Sequence, residues 1–372
     1  MTADDRVREA RPRPYRPAAV QARRHALRGR LARVDLVGLL VTKPVNVRYL
    51  TGFAGSYGAL LLLHDRTVFF TDRRYERQAA EVDDVEVVMA PGDLIAAVIG
   101  VLGANGDGLG FEPGGLTWGT GQRLRTLLPG RAVVPAPALV EELREVKDDD
   151  ELAAMRQAAG IATEALAAAL GGLREGLTER EVAAALEIGV RRLGADGPAF
   201  DPVVAFGEHA AEPHHHPGQR PLRRGDLIVL DFGALVDGYR SDMTRTVVLG
   251  GASPRQREVH QLVRQALEAG LGALHPRVGC AEVDRACRQV IVEAGRGDAF
   301  THPSGHGVGL EVHEAPWVRP GGSGMIAAGT PVTVEPGVYL PGFGGVRIED
   351  LAVVRQDGHE LLTTAPRELL EL

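Results

Sequence analysis

The chain has 372 residues, of which 44% are hydrophobic and 24% are charged, as in an ordinary globular protein that is long enough for two domains. Its formal net charge of −7 argues against a protein that binds nucleic acid through a broad basic face. No segment reaches the roughly 20 consecutive apolar residues of a membrane-spanning helix. We therefore expect neither nucleic acid nor a membrane as a partner.

The two cysteines indicate the cellular compartment. Cys280 and Cys287 are seven positions apart, so along a predicted helix their Cα atoms would lie about 10 Å apart, too far for an intrahelical disulfide. Packed or free thiols fit a reducing compartment. The polar N-terminus has no apolar core of a secretory signal. The sequence therefore predicts a cytoplasmic protein.

The N-terminal part of the chain predicts a small α/β domain. Residues 1–17 are polar and rich in Arg and Pro, and we expect them to form a disordered tail. From residue 18 to residue 140, short apolar strands alternate with helices, which is typical of an α/β domain. Residues 43–46, with the sequence Lys-Pro-Val-Asn, are expected to form a turn.

A second domain is predicted over residues 141–372, because a long Ala-rich helical pattern begins there. The acidic residues 148–151 suit the positive end of that helix, and Thr178 is the expected N-cap of the next one. Further helices are predicted at 254–274 and 281–294. Helices and antiparallel strands occur together, so the predicted fold class is α+β.

A predicted β-hairpin contains the first residues that suggest a chemistry. Two β-rich segments, 227–234 and 239–249, flank a Val-Asp-Gly turn. Asp231 and Asp242 are eleven positions apart with their midpoint in the turn. We therefore expect them directly opposite each other on one face, with Cβ atoms about 4.5–5.5 Å apart. Such carboxylates repel unless a cation lies between them; the alternative is a strand-end Asp231 and a solvated Asp242.

Three further clusters supply groups that could join these aspartates. They are a Gly-rich stretch with His302, His306 and His313, then Glu335 at a strand end, then Arg347 and Glu349 on one strand face. Singly, each has an ordinary explanation as a loop, a strand end or a surface ion pair. We expect the glycines around His306 to let the backbone approach a ligand.

The combined set of donors predicts a pair of metal ions. Four carboxylates with one imidazole are too rich in oxygen for a structural zinc site. They suit two adjacent hard or borderline divalent cations, and we expect Mn²⁺ ahead of Co²⁺ or Zn²⁺. Two such ions about 3.5–4 Å apart activate a shared water and polarise a scissile carbonyl.

The local sequences around these residues are similar to those of a known family. They are Asp-Phe-Gly-Ala at 231–234, Ser-Asp-Met-Thr-Arg-Thr at 241–246, Ser-Gly-His-Gly-Val-Gly-Leu at 304–310, Val-Glu-Pro-Gly-Val-Tyr at 334–339 and Val-Arg-Ile-Glu-Asp at 346–350. These motifs resemble the pita-bread metallopeptidases, most closely the Xaa-Pro dipeptidase (prolidase) and aminopeptidase P branch. Residues 46–53 and 71–75 are similar to the creatinase-type N-terminal domain of that branch.

The resemblance implies a fold and a ligand set. The expected fold is a pita-bread (creatinase/aminopeptidase-like) catalytic domain over residues 141–372, preceded by a smaller α/β domain over residues 18–140. The motifs match the family at all of its metal-ligand positions. The implied metal ligands are Asp231, Asp242, His306, Glu335 and Glu349.

The resemblance also implies roles for residues beside the metals. His302 and His313 match histidines that contact the substrate or stabilise the tetrahedral intermediate, as a hydrogen-bond donor at a developing oxyanion would. Arg347 matches an arginine that orients neighbouring groups of the site. Glu335 would serve both as a ligand and as the proton shuttle.

One histidine-rich stretch leaves an alternative open. His214 falls where the family has a substrate-binding histidine, but three histidines follow one another there, so the match can shift by one onto His215 or the stretch can be a solvated loop. His209 is a departure, because related sequences often have Asn at that position. This departure affects the expected loop geometry and leaves the metal ligands unchanged.

The sequence therefore predicts a dinuclear metallo-exopeptidase that cleaves between an N-terminal residue and proline, acts on small peptides with proline second, and forms a homodimer. A methionine-aminopeptidase-like enzyme is one alternative, which the N-terminal domain disfavours. Creatinase shares the fold but works without metal, and the complete ligand set argues against it. A non-enzymatic alternative is a binding module on an inactive pita-bread fold, although such proteins usually lose ligands.

Overall fold

The computed structural model describes residues 13–34, 36–103 and 108–372. These residues divide into two compact units, Arg13–Arg144 and Glu145–Leu372, called here the N-terminal unit and the C-terminal unit. Most of the predicted disordered tail, residues 1–12, lies outside the described residues. The tail does not extend to residue 17 as predicted, since Pro17 is already the first residue of a helix.

The N-terminal unit is built on one six-stranded mixed sheet. Its strands are β1 (Gly38–Val41), β2 (Gly58–Leu63), β3 (Thr67–Thr71), β4 (Glu86–Met89), β5 (Leu109–Phe111) and β6 (Val133–Pro135). Its helices are α1 (Pro17–Leu31), α2 (Pro44–Thr51), α3 (Glu76–Ala79), α4 (Leu94–Leu102), α5 (Trp118–Leu127) and α6 (Glu141–Arg144). The order is β4-β3-β2-β1-β5-β6, with β2 antiparallel to β1 and β3 and the other pairs parallel.

Residues 43–46 do not form the predicted turn. Pro44 is the first residue of helix α2, a position where the N–H that proline lacks would have no helical partner anyway. The carboxylate of Glu112 accepts the backbone N–H of Lys43 at 2.8 Å. The helix ends at Thr51, and the next residue, Gly52, has a φ of 78°, a conformation that suits glycine as a helix stop. The Lys-Pro pair thus marks the start of a helix.

The C-terminal unit combines long helices with short strands in antiparallel ladders. Its helices are α7 (Asp149–Gly172), α8 (Glu179–Arg192), α9 (Pro254–Ala273) and α10 (Cys280–Glu293). Its strands are β7 (Gly197–Pro198), β8 (Val203–Phe206), β9 (Leu227–Phe232), β10 (Ala234–Val236), β11 (Tyr239–Arg240), β12 (Met243–Val248), β13 (Gly305–Gly307), β14 (Glu314–Val318), β15 (Pro331–Val334), β16 (Gly337–Leu340), β17 (Gly344–Arg347), β18 (Asp350–Arg355) and β19 (Gly358–Leu361).

Two pairs of helices cover two groups of strands in this unit. Helices α7 and α8 bury aliphatic residues against β8, β9, β10 and β12. Helices α9 and α10 bury theirs against β15 to β18. Burying one Leu or Val side chain contributes about 1.5–3 kcal/mol, so Leu186 and Val190, both fully buried, hold α8 firmly onto its strands. The predicted α+β fold class is confirmed.

Two local predictions for this unit, the Thr178 cap and the free cysteines, are confirmed as well. Thr178 caps α8 in a capping box, in which its hydroxyl accepts the Glu181 N–H at 3.2 Å and the Glu181 carboxylate accepts the Thr178 N–H at 2.8 Å. Cys280 and Cys287 are buried and free. Within the described ranges, no helix has both the length and the apolar character needed to cross a bilayer.

Candidate active site

The hairpin that carries Asp231 and Asp242 has a different register from the predicted one. Its tight turn is Asp237-Gly238, where both residues have positive φ, as in the favoured two-residue hairpin turns. Asp231 of β9 is therefore paired with Thr244 of β12. The expected direct opposition of the two aspartates is wrong, because Asp242 lies two residues before the paired position and thus diagonal to Asp231. Both carboxylates still line one cavity.

His306 lies in the middle of strand β13, and its surroundings determine which ring nitrogen is available. Its Nδ1–H donates to the Gly307 carbonyl at 3.1 Å, which leaves Nε2 as the metal-binding nitrogen. A Cβ atom on Gly305 would lie 2.0 Å from the Thr333 carbonyl oxygen, and one on Gly307 would lie 2.2 Å from that of Ala315. These glycines serve the close approach of neighbouring strands, whereas we expected them to serve the approach of a ligand.

Glu335 and Glu349 both line the cavity, and each stands at a strand end. Glu335 directly follows β15, and Glu349 lies between β17 and β18. The Thr244 hydroxyl donates to Glu349 Oε2 at 2.7 Å, and the Glu349 N–H donates to the Thr244 carbonyl at 3.1 Å. The Glu349 carbonyl also accepts from Arg245 Nη1 at 2.6 Å. Glu349 is therefore fixed by β12 from two directions.

The structure brings the predicted ligands together in one cluster, called here the ligand cluster: Asp231, Asp242, His306, Glu335 and Glu349. One donor atom from each of Asp242, His306 and Glu349 lies within 4.8 Å of the others. His306 Nε2 is 3.4 Å from Glu335 Oε1 and 3.8 Å from Asp242 Oδ2. Asp231 Oδ1 is buried without a hydrogen-bond partner among the described residues. This set of oxygens and one imidazole nitrogen suits divalent cations.

The electrostatics of the ligand cluster also favour bound cations. Burial, reinforced by the surrounding carboxylates, raises the pKa of Asp242 well above its ordinary value, and does the same to Glu349. Burial raises the pKa of Glu335 to about 8, with Arg347 acting in the opposite direction. Carboxylates packed this closely remain ionised together only when positive charge joins them.

Arg347 provides protein positive charge at the edge of the ligand cluster. Its buried guanidinium donates from Nη2 to Asp231 Oδ2 at 2.6 Å, from Nε to Thr244 Oγ1 at 3.1 Å and from Nη1 to the Tyr339 hydroxyl at 2.8 Å. Nη1 also donates to the Pro213 carbonyl at 3.3 Å. One planar donor group thus orients several neighbours.

His302 lines the cavity, but both of its ring nitrogens are already used. Nδ1 lies 2.7 Å from the Pro303 carbonyl, to which it must donate, and Nε2 lies 2.8 Å from the Tyr339 hydroxyl. Burial, with Arg347 nearby, lowers the pKa of His302 to about 3, so the ring is neutral and Nε2 accepts from Tyr339. We expected His302 to contact the substrate or stabilise the tetrahedral intermediate, whereas in this arrangement it has no ring N–H to donate to either.

His313 and His214 line the same cavity, and neither ring has a hydrogen-bond partner among the residues that the structure describes. The His313 ring packs edge-on against His306, with ring centroids 4.4 Å apart. Next to His214, both ring nitrogens of His215 are engaged, with Glu179 at 2.9 Å and Glu212 at 3.0 Å. The ring of His214 is therefore the more available of the two adjacent imidazoles.

The cavity has a volume of about 490 Å³, within the range of small-ligand sites. Apolar side chains, among them Phe200, Val312 and Trp317, line it together with the ligand cluster. Trp317 is 41% exposed. The cavity is therefore lined by the polar side chains of the ligand cluster and by apolar side chains.

Some residues that the sequence did not single out hold the predicted site residues in place through hydrogen bonds. Thr244 and Tyr339 lie inside the quoted motifs, which could have drawn attention to them. The motifs do not indicate with which partner each hydroxyl forms a hydrogen bond. The sequence does not indicate a role for Glu179, because the hydrogen-bond partners of its carboxylate lie 27–39 positions away.

The fold and the ligand cluster together define a metallopeptidase, and the comparison with known families agrees. The model of metallopeptidase family M24 matches residues 153–356, and that of the Creatinase/Prolidase N-terminal domain matches residues 23–146. The chain belongs to metallopeptidase family M24 and carries this N-terminal domain.

The alignments with a named relative and with two solved structures cover nearly the whole chain. The Xaa-Pro dipeptidase of Pyrococcus furiosus is 35% identical, over 89% of this chain and 94% of its own. The structure of an Xaa-Pro dipeptidase from Bacillus anthracis is 36% identical with a TM-score of 0.91, over 95% of this chain and 100% of its own. The structure of an X-Pro aminopeptidase from Thermotoga maritima is 34% identical with a TM-score of 0.85, over 92% of this chain and 100% of its own.

Proposed function

We propose that this chain is an exopeptidase that hydrolyses the bond between an N-terminal residue and a following proline. The observation that supports this most directly is the convergence of the five predicted ligands along one cavity of about 490 Å³. The names of its relatives, dipeptidases and an aminopeptidase specific for Xaa-Pro bonds, supply the expected substrate class.

The ligand cluster would hold two divalent cations. When bound, such a pair activates a water molecule and polarises the scissile carbonyl. We propose Mn²⁺, with Co²⁺ or Zn²⁺ as alternatives, because carboxylate oxygens outnumber the single imidazole nitrogen among the donors.

The protein's own residues would move the proton and orient the reacting groups. Glu335 would accept a proton from the attacking water at a carboxylate oxygen and return it to the proline nitrogen of the leaving product. Arg347 would hold the Asp231 carboxylate in place through its 2.6 Å contact. His313 would donate to the oxyanion that develops on the carbonyl, whereas His302 would act through Tyr339 and Arg347.

Substrate binding would use the remaining cavity wall. His214 would donate to the bound peptide, and the apolar side chains of Phe200, Val312 and Trp317 would contact the proline ring and the first side chain. We further propose that the protein is a cytoplasmic homodimer, with the free cysteines in keeping with a reducing compartment.

Activity assays of metal-reconstituted protein on three peptide sets test this proposal. The sets are Xaa-Pro dipeptides, Xaa-Pro-Xaa tripeptides and peptides that begin with Met and contain no proline. We expect Mn²⁺-dependent cleavage of one or both proline sets, loss of activity with a chelator, and no cleavage by the Asp242→Ala variant.

Release of Met from the third set alone would favour the methionine-aminopeptidase alternative. Inactivity of the metal-loaded protein on all three sets would contradict the proposal. Comparing the dipeptides with the tripeptides also determines the preferred substrate length.

A further inference from the structure

The buried carboxylate of Glu179, at the first residue of α8, gathers four donors. Its Oε1 accepts the backbone N–H of Phe206 at 3.0 Å and Nδ1–H of His209 at 2.8 Å. Its Oε2 accepts Nε2–H of His215 at 2.9 Å and the backbone N–H of Gly218 at 3.0 Å. We call these five residues the Glu179 clasp. It joins both ends of the segment 206–218 to one side chain.

Hydrogen bonding alone accounts for the Glu179 clasp. Glu179, His209 and His215 are close enough to hold a metal ion, yet each carboxylate oxygen already accepts two N–H groups. Burial would raise the pKa of Glu179, but the hydrogen bonds from His215 and the other donors outweigh it and lower the pKa. The positive end of the α8 dipole also favours the anion.

The clasped segment reaches the cavity. Pro213, His214 and His216 line it, and the Pro213 carbonyl accepts from Arg347 at 3.3 Å. Beyond Phe206, the last residue of β8, its regular structure is limited to the 3₁₀ turn Gly207–Ala211. A segment with so little internal structure depends on its end contacts for a fixed conformation.

We propose that Glu179 is a positioning residue, which holds His214 in place for the peptide substrate by fixing the segment 206–218. This inference rests on the proposed function, because peptide binding is the step that His214 serves. Glu179 itself touches neither the ligand cluster nor the substrate cavity; it acts through the segment.

The Glu179→Gln variant of the full-length metal-loaded protein tests the inference. The amide nitrogen of Gln cannot accept a hydrogen bond, so one pair of donors loses its partner. We expect KM for the best Xaa-Pro peptide to rise about tenfold, as for supporting residues of other sites. We expect kcat to stay within about threefold and the bound metal content to stay unchanged.

Two matched variants control for general damage. Glu181→Gln makes the same substitution two residues away and keeps a capping-box acceptor, so we expect the wild-type KM. His209→Asn keeps a donor near the position of Nδ1, so we expect the wild-type KM. His209→Ala removes the donor, so we expect KM to rise as it does in Glu179→Gln.

A double-mutant cycle with His214→Ala separates positioning from a purely structural role. If Glu179 acts through His214, Glu179→Gln should raise KM little further in the His214→Ala background. An equal rise of KM in both backgrounds would overturn the inference. So would an unchanged KM in Glu179→Gln, or loss of a metal ion from it, which would make the clasp a metal site.

Hydrogen exchange keeps the two hypotheses distinguishable. If the wild-type protein cleaves no Xaa-Pro peptide, the proposed function fails. Hydrogen exchange in the segment 206–218 then still tests whether Glu179 fixes that segment. Faster exchange at Phe206 and Gly218 in Glu179→Gln, and not in Glu181→Gln, would support the clasp. Unchanged exchange would overturn it.

Discussion

The ligand cluster and the Glu179 clasp both contain buried carboxylates of the C-terminal unit, and the surroundings of these carboxylates differ. At the clasp, N–H donors occupy both oxygens, and the pKa of Glu179 is lowered. In the ligand cluster, several carboxylates face one another, Asp231 Oδ1 lacks a hydrogen-bond partner among the described residues, and burial raises the pKa of Glu335 to about 8.

This difference separates a structural carboxylate from a ligand. Four N–H groups satisfy an anion completely, so the clasp contributes stability. Carboxylates that repel one another in a buried place cost stability, and a protein retains them where they bind something positive. Hydrogen-bond satisfaction therefore identifies the metal site more directly than burial alone.

The largest effect should come from Asp242→Asn, which alters the ligand cluster with almost no change of shape. We expect kcat/KM to fall by on the order of a thousandfold or more, about 4 kcal/mol, because a metal ligand is weakened. Without metal, the same variant should be more stable than wild type by about 1–3 kcal/mol, because one repelling buried carboxylate is removed.

Melting curves with and without chelator, beside peptide assays, measure both effects of Asp242→Asn. Asp357→Asn, at an exposed turn next to β18, is the matched control and should change neither quantity. A chelated Asp242→Asn protein that melts below wild type would show that the ligand cluster stabilises the fold by itself, as the clasp does.

Arg347→Lys should have the next largest effect, because the cluster would keep a charge but lose the planar donor group. An ammonium cannot reach Asp231, Thr244 and Tyr339 together as the guanidinium does. We expect a free energy of unfolding lower by about 3 kcal/mol and a kcat/KM lower by about tenfold to a hundredfold. Urea unfolding and peptide kinetics measure these changes. Arg355→Lys, at a partly exposed ion-pair arginine, should stay near wild type.

Tyr339→Phe should have a smaller effect, because it removes only the hydroxyl that links His302 to Arg347. Burial raises the pKa of Tyr339 to about 12, so the group is a neutral donor to His302 at all working pH values. Its loss leaves His302 Nε2 without that donor, which costs about 1–3 kcal/mol. We expect a lower melting temperature and a kcat/KM about tenfold lower. Unaltered kinetics would show that the hydrogen bond between Tyr339 and His302 does not contribute to catalysis.

The smallest effect concerns the pH dependence of the clasp. The lowered pKa of Glu179 means that its contribution to stability is present above its ordinary pKa of 4.5 and is lost as pH falls through the folded value. Hydrogen bonds to Glu212 and Glu179 outweigh burial and raise the pKa of His215, so its contribution is complete below 6.5 and is lost as pH rises through the folded value.

The clasp should therefore stabilise the protein most between about pH 4.5 and 6.5. The measurement is the difference in free energy of unfolding between wild type and Glu179→Gln across pH, with Glu181→Gln as the flat control. His209, which also contacts the carboxylate of Glu179, is present both in the wild-type protein and in Glu179→Gln. A difference that only increases with pH would show that His215 plays no part.

Much of the fold and of the ligand set follows from local sequence. Thr178 predicts its own helix cap, because the capping box spans four residues. The Ala-rich pattern that begins near residue 141, with acidic residues at 148–151, predicts α7. The oxygen-rich donor set predicts divalent metal, since that inference needs residue types and not their exact positions. Local prediction failed at residues 43–46, where a Pro can mark either a turn or the first residue of a helix.

Contacts between distant residues could not be predicted in this way. Arg347 meets Asp231 across 116 positions, and Thr244 meets Glu349 across 105. The diagonal placement of the two aspartates depends on a turn shifted by one residue. Local patterns determined which chemical groups the chain offers, whereas the packing of three sheets, which contain β9, β12, β13 and β15 to β18, decided which of these groups meet. The physical reason is that strand register and hydrogen-bond partners are fixed only once the sheets have formed.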